Sequence, residues 1–307
     1  MQVEYRRPVL ENIADQFGLG VYRGHRVLER HRHVAVLDTA NGCFLVKPGV
    51  EKELALYAAA VERWQRAGLL QARIYRSNQG GYASPQGYAV FEFLSGRFPD
   101  FFNPREVGAV VDYLAPYHRA LVGLEIPAWL GVLDNPWKKA DSLDYLCGDF
   151  SSFPAETAAP LRKIGDKALA WLKARTVWAA LSEQLIHGDL GPGNVLFRRE
   201  QVAAIVDFTP QIGSPTYALA HFIYWHFLFA NRESDFDYAG IEQVCRQQKD
   251  AAETPWHSLL VKAAAFRFFG PLLATWERQG AYSEPALAIR ATLLGRVLAD
   301  ARLARLG

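Results

Sequence analysis

Residues 185–208 read LIHGDLGPGNVLFRREQVAAIVDF, and no other stretch constrains the fold as strongly. An Asp stands at 189, an Asn at 194 and a second Asp at 207. Asn194 leads directly into the apolar run Val195-Leu196-Phe197, and Asp207 ends the run Ala203-Ala204-Ile205-Val206. The segment therefore reads as short buried strands with oxygen-bearing side chains at their ends. Turn-forming acids at strand ends would account for each Asp singly, through local Asx hydrogen bonds, but not for their order and spacing. Hard cations such as Mg2+ select oxygen ligands of this kind. Such oxygens beside a further carboxylate can hold a polyphosphate next to a hydroxyl that must lose its proton.

The rest of the sequence divides by pattern. Residues 8–17 read as a short helix and residues 21–29, 34–38 and 43–47 as strands, with Asn41-Gly42 the favoured hairpin pair between the last two. Pro48-Gly49 stops the third strand. From 51 to 67 the apolar positions Leu54, Tyr57, Val61 and Trp64 recur at helical spacing, and Gly68 closes the run. Residues 72–76 and 87–94 read as two further strands around the turn-rich Ser77-Asn78-Gln79-Gly80-Gly81. After Ser95-Gly96 the pattern changes to long amphipathic helices, expected at 104–124, 155–183, 216–230, 241–249, 255–279 and 284–305. The expectation is an α+β protein of two lobes: residues 1–94 with a small antiparallel sheet, and residues 95–307, larger and mostly helical. With 307 residues, half of them apolar, there is core enough for both.

HGD, four residues, Asn, and then an apolar-Asp-Phe resembles the catalytic segment of the aminoglycoside phosphotransferase, choline kinase and homoserine kinase group of small-molecule kinases. That group is similar in fold to the protein kinases, so the resemblance implies a bilobal protein kinase-like fold. It implies that Asp189 accepts the proton of a substrate hydroxyl and that Asn194 and Asp207 ligate Mg2+ on the phosphates of ATP. It also implies that Lys47, at the end of Cys43-Phe44-Leu45-Val46, meets the α- and β-phosphates as a point charge. Glu53 is the expected ion-pair partner of Lys47, with Glu51 second and Tyr57 on the same helix face as Glu53. The backbone carbonyl of Glu92 and the backbone N–H of Leu94 match the hinge that hydrogen-bonds adenine. His187 and Gly188 organise the loop, the first through a ring nitrogen bonded to a backbone carbonyl and the second through close backbone approach. Many relatives open the next helix with Gly-Pro-x-x-Asp-Leu-Ala. Here Gly213-Ser-Pro-Thr-Tyr-Ala-Leu-Ala puts Ala218 at the Asp position and leaves Thr216 as the expected helix N-cap.

The function these residues imply is transfer of the ATP γ-phosphoryl group to a hydroxyl of a small molecule. The alternative is a kinase-like binding or scaffold protein with little turnover, as some bacterial spore-coat proteins resemble. The helix carrying His221, Tyr224, Trp225, His226 and Phe227 reads first as core, and Glu233, Asp235 and Asp237 as a solvated loop, so neither names an acceptor. No GxSxG, HExxH or Walker lysine loop offers a hydrolase or P-loop chemistry. A net charge of +2 without a long basic run gives no nucleic-acid footprint. The acids Glu4, Glu11 and Asp15 interrupt the N-terminus where a signal peptide needs an apolar core, and the run at 221–230 is too short to span a bilayer. Cys43, Cys147 and Cys245 form no CxxC pair and read as buried thiols of a cytoplasmic protein.

Overall fold

The computed structural model describes residues 5–28, 31–100, 103–130, 150–175, 181–248, 253–278 and 284–306. The protein is α+β and forms two compact units. The first comprises Met1–Arg97 with Arg119–Leu124 and Leu196–Val206, and the second comprises the remainder. The boundary differs from a single cut after residue 94, because a hairpin from the middle of the sequence joins the first unit. Gly96 explains how: a Cβ there would lie 3.1 Å from the Leu196 Cβ and from the Phe197 carbonyl oxygen. The two backbones instead close an antiparallel bridge, with Arg97 and Phe197 exchanging N–H···O bonds of 3.0 and 2.7 Å.

In the first unit, α1 (Arg7–Gln16) precedes a four-stranded antiparallel sheet of β1 (Tyr22–Leu28), β2 (His31–Thr39), β3 (Gly42–Pro48) and β4 (Tyr88–Glu92), in that spatial order. The β2–β3 hairpin turns one residue earlier than Asn41-Gly42, through Ala40-Asn41. Gly42 pairs with Thr39 at φ +128°, a conformation open to glycine. Period-two alternation sorts the side chains. Ala35, Leu37, Phe44, Val46, Tyr88 and Val90 pack with Leu10, Ile13 and Ala14 of α1. Phe91 takes the other face and meets Tyr57 of α2 (Glu51–Arg66), with ring centroids 5.5 Å apart. Residues 72–76, expected as a strand, make only an isolated bridge at Ile74↔Phe91. The same edge of β4 is shared with Ala83, which bridges to Ala89, so neither segment has room to extend. Cys43 is exposed beside this hairpin, in contrast to the buried thiol expected, while Cys147 lies outside the described residues. Cys245 is buried, and burial pushes its thiol up to about 12.

The second unit carries α3 (Pro104–Leu121) over most of its length, α4 (Ala155–Lys173), the strand pair β5 (Gln184–His187) and β8 (Pro210–Gly213), α5 (Pro215–Ile223), α6 (Tyr238–Arg246), α7 (Trp256–Arg278) and α8 (Glu284–Ala299). Between the strands of that pair, β6 (Val195–Arg198) and β7 (Gln201–Ile205) form the hairpin that belongs mostly to the first unit. The expected helix 155–183 ends at Lys173, and residues 176–180 lie outside the described residues. Gly165 admits α4 to the face of α7, where an added Cβ would sit 3.2 Å from Phe269 and 3.3 Å from Phe268. No helix of the described residues is long and apolar enough to cross a membrane.

Ser214, not Thr216, caps α5: its hydroxyl accepts from the Thr216 N–H at 3.2 Å, and Pro215 occupies the first turn. Proline pre-sets the backbone angle needed there and has no N–H to leave unpaired, so the cap lies two residues before the one expected. Ala218, at the position of the missing acid, is fully buried. The helix then relaxes into a π-helical turn, Tyr224–Phe229. Replacing Ser214 with Ala should cost about 1 kcal/mol, the usual worth of such a cap. Differential scanning calorimetry should record this as a Tm about 2–4 °C lower.

Candidate active site

The antiparallel β5–β8 pair sets the site. His187 pairs with Pro210, the Gly188 N–H donates to the Thr209 carbonyl at 2.8 Å, and the His187 ring meets Phe208 edge-on at 5.6 Å. Two segments, 187–189 and 207–209, thus leave the same end of one small sheet. An added Cβ on Gly188 would collide with the buried Gln211 side chain, so only glycine permits this approach.

Asp189 is fixed through its backbone by its neighbours. Its N–H donates to His187 Nδ1 at 3.1 Å, and its carbonyl accepts from Asn194 Nδ2 at 2.7 Å. In this bond the ring nitrogen accepts from an amide. Asn194 ends a short 3-10 turn, Pro192–Asn194, and its own N–H returns to the Gly191 carbonyl at 3.0 Å. Its amide nitrogen must face the Asp189 carbonyl, so its Oδ1 takes no part in that bond. Asp207 is exposed and adopts φ +56°, a left-handed conformation uncommon outside glycine; Asp is among the few residues that tolerate it.

Arg267 was not anticipated as part of this site, and Trp225 read first as core. Arg267 of α7 forms an ion pair through Nη2 with Asp189 Oδ1, and its guanidinium carbon lies 5.0 Å from the Trp225 ring centroid. The paired side chains are 17% and 39% exposed, so solvent screens the pair only in part. Burial, and after it the charge of Arg290, lowers Arg267 to about 9. The facing carboxylate acts against both, so the guanidinium is charged at neutral pH. Arg267 lies far along the sequence in an apolar helix, and no local pattern marks it.

The first unit holds the other expected residues. Lys47 ends β3 opposite Ala89, with Nζ 5.1 Å from the Phe91 ring centroid. Phe91 meets Tyr57, which meets Trp64 at 6.3 Å, and the Tyr57 hydroxyl donates to the Ala72 carbonyl at 2.6 Å. An aromatic column therefore backs Lys47. Glu53 is exposed in the first turn of α2 and forms no ion pair among the described residues, so the expected Lys47–Glu53 pair is not seen. Glu51 is engaged elsewhere: its carboxylate accepts from the Tyr82 and Ala83 N–H groups at 2.8 and 2.7 Å. The Glu92 side chain pairs with Arg73 Nε at 3.1 Å, and the Glu92 N–H donates to the Arg73 carbonyl at 2.8 Å. The Leu94 N–H has no hydrogen-bond partner among the described residues.

Below the loop lie buried imidazoles. His221 Nε2 and the Tyr217 hydroxyl are 2.9 Å apart, and the backbone carbonyl of His118 accepts from Gln184 Nε2 at 2.7 Å. Burial, followed by the proximity of His187, lowers both His118 and His221 to about 3. Both rings are neutral in the folded protein and titrate near 6.5 once unfolded. The stability they confer is therefore complete above pH 6.5 and is lost as pH falls towards 3. Denaturant titrations between pH 6 and 4 should show unfolding free energy falling by up to about 2.7 kcal/mol per pH unit from these two groups, and His118→Gln should roughly halve that contribution. Gly188→Ala should cost about 1–3 kcal/mol by overpacking. Adding Gln211→Ala should recover part of that loss, which a double-mutant cycle in urea would measure.

A family profile described as the phosphotransferase enzyme family, APH, matches residues 29–254. A homoserine kinase from Beijerinckia indica subsp. indica is 26% identical over 187 residues, which are 56% of this protein and 54% of that one. The match thus spans about half the length of this relative. Among solved structures, the amicoumacin kinase hAmiN, in complex with AMP-PNP, Ca2+ and Ami, superposes with a TM-score of 0.69 at 13% identity, over 99% of this protein and 96% of that one. The choline kinase LicA of Streptococcus pneumoniae gives 0.64 at 15%, over 96% and 98%. An aminoglycoside phosphotransferase from Alicyclobacillus acidocaldarius subsp. acidocaldarius gives 0.63 at 17%, over 100% and 96%. At these identities the superpositions establish the protein kinase-like fold. With its profile spanning most of the sequence, the protein belongs to the APH phosphotransferase enzyme family.

Proposed function

We propose that this protein transfers the γ-phosphoryl group of ATP to a hydroxyl of a small molecule, with Asp189 as the base. The observation that carries the reading is the double anchoring of the Asp189 backbone by His187 and Asn194. A base of this kind needs a fixed position more than an unusual pKa, because the acceptor proton leaves late in phosphoryl transfer. Asn194 Oδ1 and the Asp207 carboxylate would hold Mg2+, since both are hard oxygen donors of the kind it selects. The ion, when bound, neutralises charge on the phosphates. Lys47 adds a point charge against phosphate oxygens, its stem backed by Phe91. The Glu92 carbonyl and the Leu94 N–H serve as adenine partners. Glu53, exposed as it is, is left with an electrostatic role at the start of α2.

The relatives named above include kinases for amicoumacin, for choline and for homoserine, and they support a small hydroxyl-bearing acceptor as the class. A scaffold without turnover is the competing reading, which the exposed Glu53 favours and the anchored Asp189 opposes.

Thermal shift with ATP, with and without Mg2+, followed by an ADP-release screen of small alcohols, amino alcohols and amino sugars, tests the proposal. Mg2+-dependent stabilisation by ATP and acceptor-dependent ADP release are expected. Asp189→Asn, which keeps the shape of the side chain, should lower kcat by roughly two to four orders of magnitude while leaving the MgATP stabilisation intact. No stabilisation in either condition, or wild-type turnover in the Asn variant, would refute it.

A further inference from the structure

The catalytic loop contains no basic residue: positions 189–194 read Asp-Leu-Gly-Pro-Gly-Asn. Nor is there room for one at 191. A Cβ on Gly191 would come within 2.8 Å of Trp225 Cδ1, because the π-helical turn after α5 sets that indole against the loop. π-Turns are rare and concentrate at functional sites. The positive charge at Asp189 arrives instead from α7. Arg267 reaches Oδ1 of the carboxylate with its guanidinium beside the same indole. Behind it, Arg290 of α8 donates from Nη1 to the Arg267 backbone carbonyl at 3.2 Å, tying the two helices at that level. Neither Nε nor Nη2 of Arg267 has a hydrogen-bond partner among the described residues, so the group is held by the ion pair with Asp189 and by the Trp225 and Phe266 rings, whose centroids lie 5.0 and 5.5 Å from its guanidinium carbon.

We propose that Arg267, steadied by Trp225, is the positioning residue for the base. It holds Oδ1 of Asp189 and leaves Oδ2 for the acceptor hydroxyl, so that the carboxylate is fixed in one orientation. This role rests on the reading of Asp189 as the base. In the step itself, the acceptor proton passes to Oδ2 as the new oxygen–phosphorus bond forms. The bond from the γ-phosphorus to the bridging oxygen of ADP breaks, and Arg267 keeps its proton throughout. An oriented carboxylate and a preorganised cation each affect the transition state more than the binding of either substrate.

The test is steady-state kinetics of the full-length protein with the best acceptor from the screen. Arg267→Met should lower kcat by about 100-fold, with KM for MgATP and for the acceptor within about threefold of wild type. Arg267→Lys, which restores charge without the planar fork, should recover at least about tenfold of that loss. Trp225→Leu, which removes only the backing surface, should lower kcat by about tenfold and add little in the Arg267→Met background. It also serves as the test if the Met variant does not fold. A folded Met variant with kcat within about threefold of wild type overturns the role. So does a loss carried by the acceptor KM, since the arginine would then bind substrate rather than orient the base. A wild-type protein stabilised by MgATP but inactive with every acceptor defeats the phosphotransferase reading, and this role falls with it.

Discussion

Both polar backbone groups of Asp189 are bonded to side chains, its N–H to His187 and its carbonyl to Asn194. Loops usually gain their order from backbone pairing or lose it to solvent. Here the ordering groups are side chains of the loop itself, so one short stretch carries both the candidate base and its brace. The brace in turn depends on Gly188, which lets β5 and β8 close against Gln211. Asn194 would serve twice, with its nitrogen on the Asp189 carbonyl and its oxygen towards a cation. On the proposed reading, that coupling would make the position of the base and the place of a metal one constraint. A change at Asn194 should therefore disturb both together.

The first unit follows a different logic around Lys47. An acid is the expected partner for a strand-end lysine of this kind, but the face behind it is aromatic, through Phe91, Tyr57 and Trp64. A lysine beside a ring keeps its charge with a modest electrostatic gain while its stem covers apolar surface. The acids of α2 are left for other work, and Glu51 holds the amides of residues 82 and 83. The strand-to-helix connection explains the exchange. Helix α2 begins at Glu51, immediately after Pro48-Gly49, so its first-turn acids lie at its mouth and the inward-facing position one turn later is Tyr57.

What the sequence disclosed follows from range. The spacing of Asp189, Asn194 and Asp207, the periodicity of Leu54, Tyr57, Val61 and Trp64, and the break at Ser95-Gly96 are local patterns, and the elements carrying them formed close to the expected bounds. The Ser214 cap was also local and legible, because Ser-Pro ahead of an apolar run places proline in the first turn; Thr216 was the weaker choice. Residues 72–76 had strand-like composition, but the neighbouring claim of Ala83 on β4 is tertiary information. Arg267, and the placement of Trp225 beside it, were beyond reach for the same reason. Only packing of α5, its π-turn and α7 around the loop brings them to Asp189.

The imidazoles beneath the loop bear on how charge is managed there. With His118 and His221 neutral at ordinary pH, they offer packing and hydrogen bonds but no cation. The cation that meets Asp189 among the described residues is Arg267, and it is one charge against two candidate carboxylates, Asp189 and Asp207. A triphosphate added to this balance needs further positive charge, which on the proposed reading Lys47 and a metal ion would bring, since like charges held close in a partly buried site cost several kcal/mol. On the proposed reading, the site would favour nucleotide taken together with its metal over free nucleotide. Protonating the buried rings would ease the charge balance, but it would force cations into the apolar floor. The fold would lose stability before the site gained affinity.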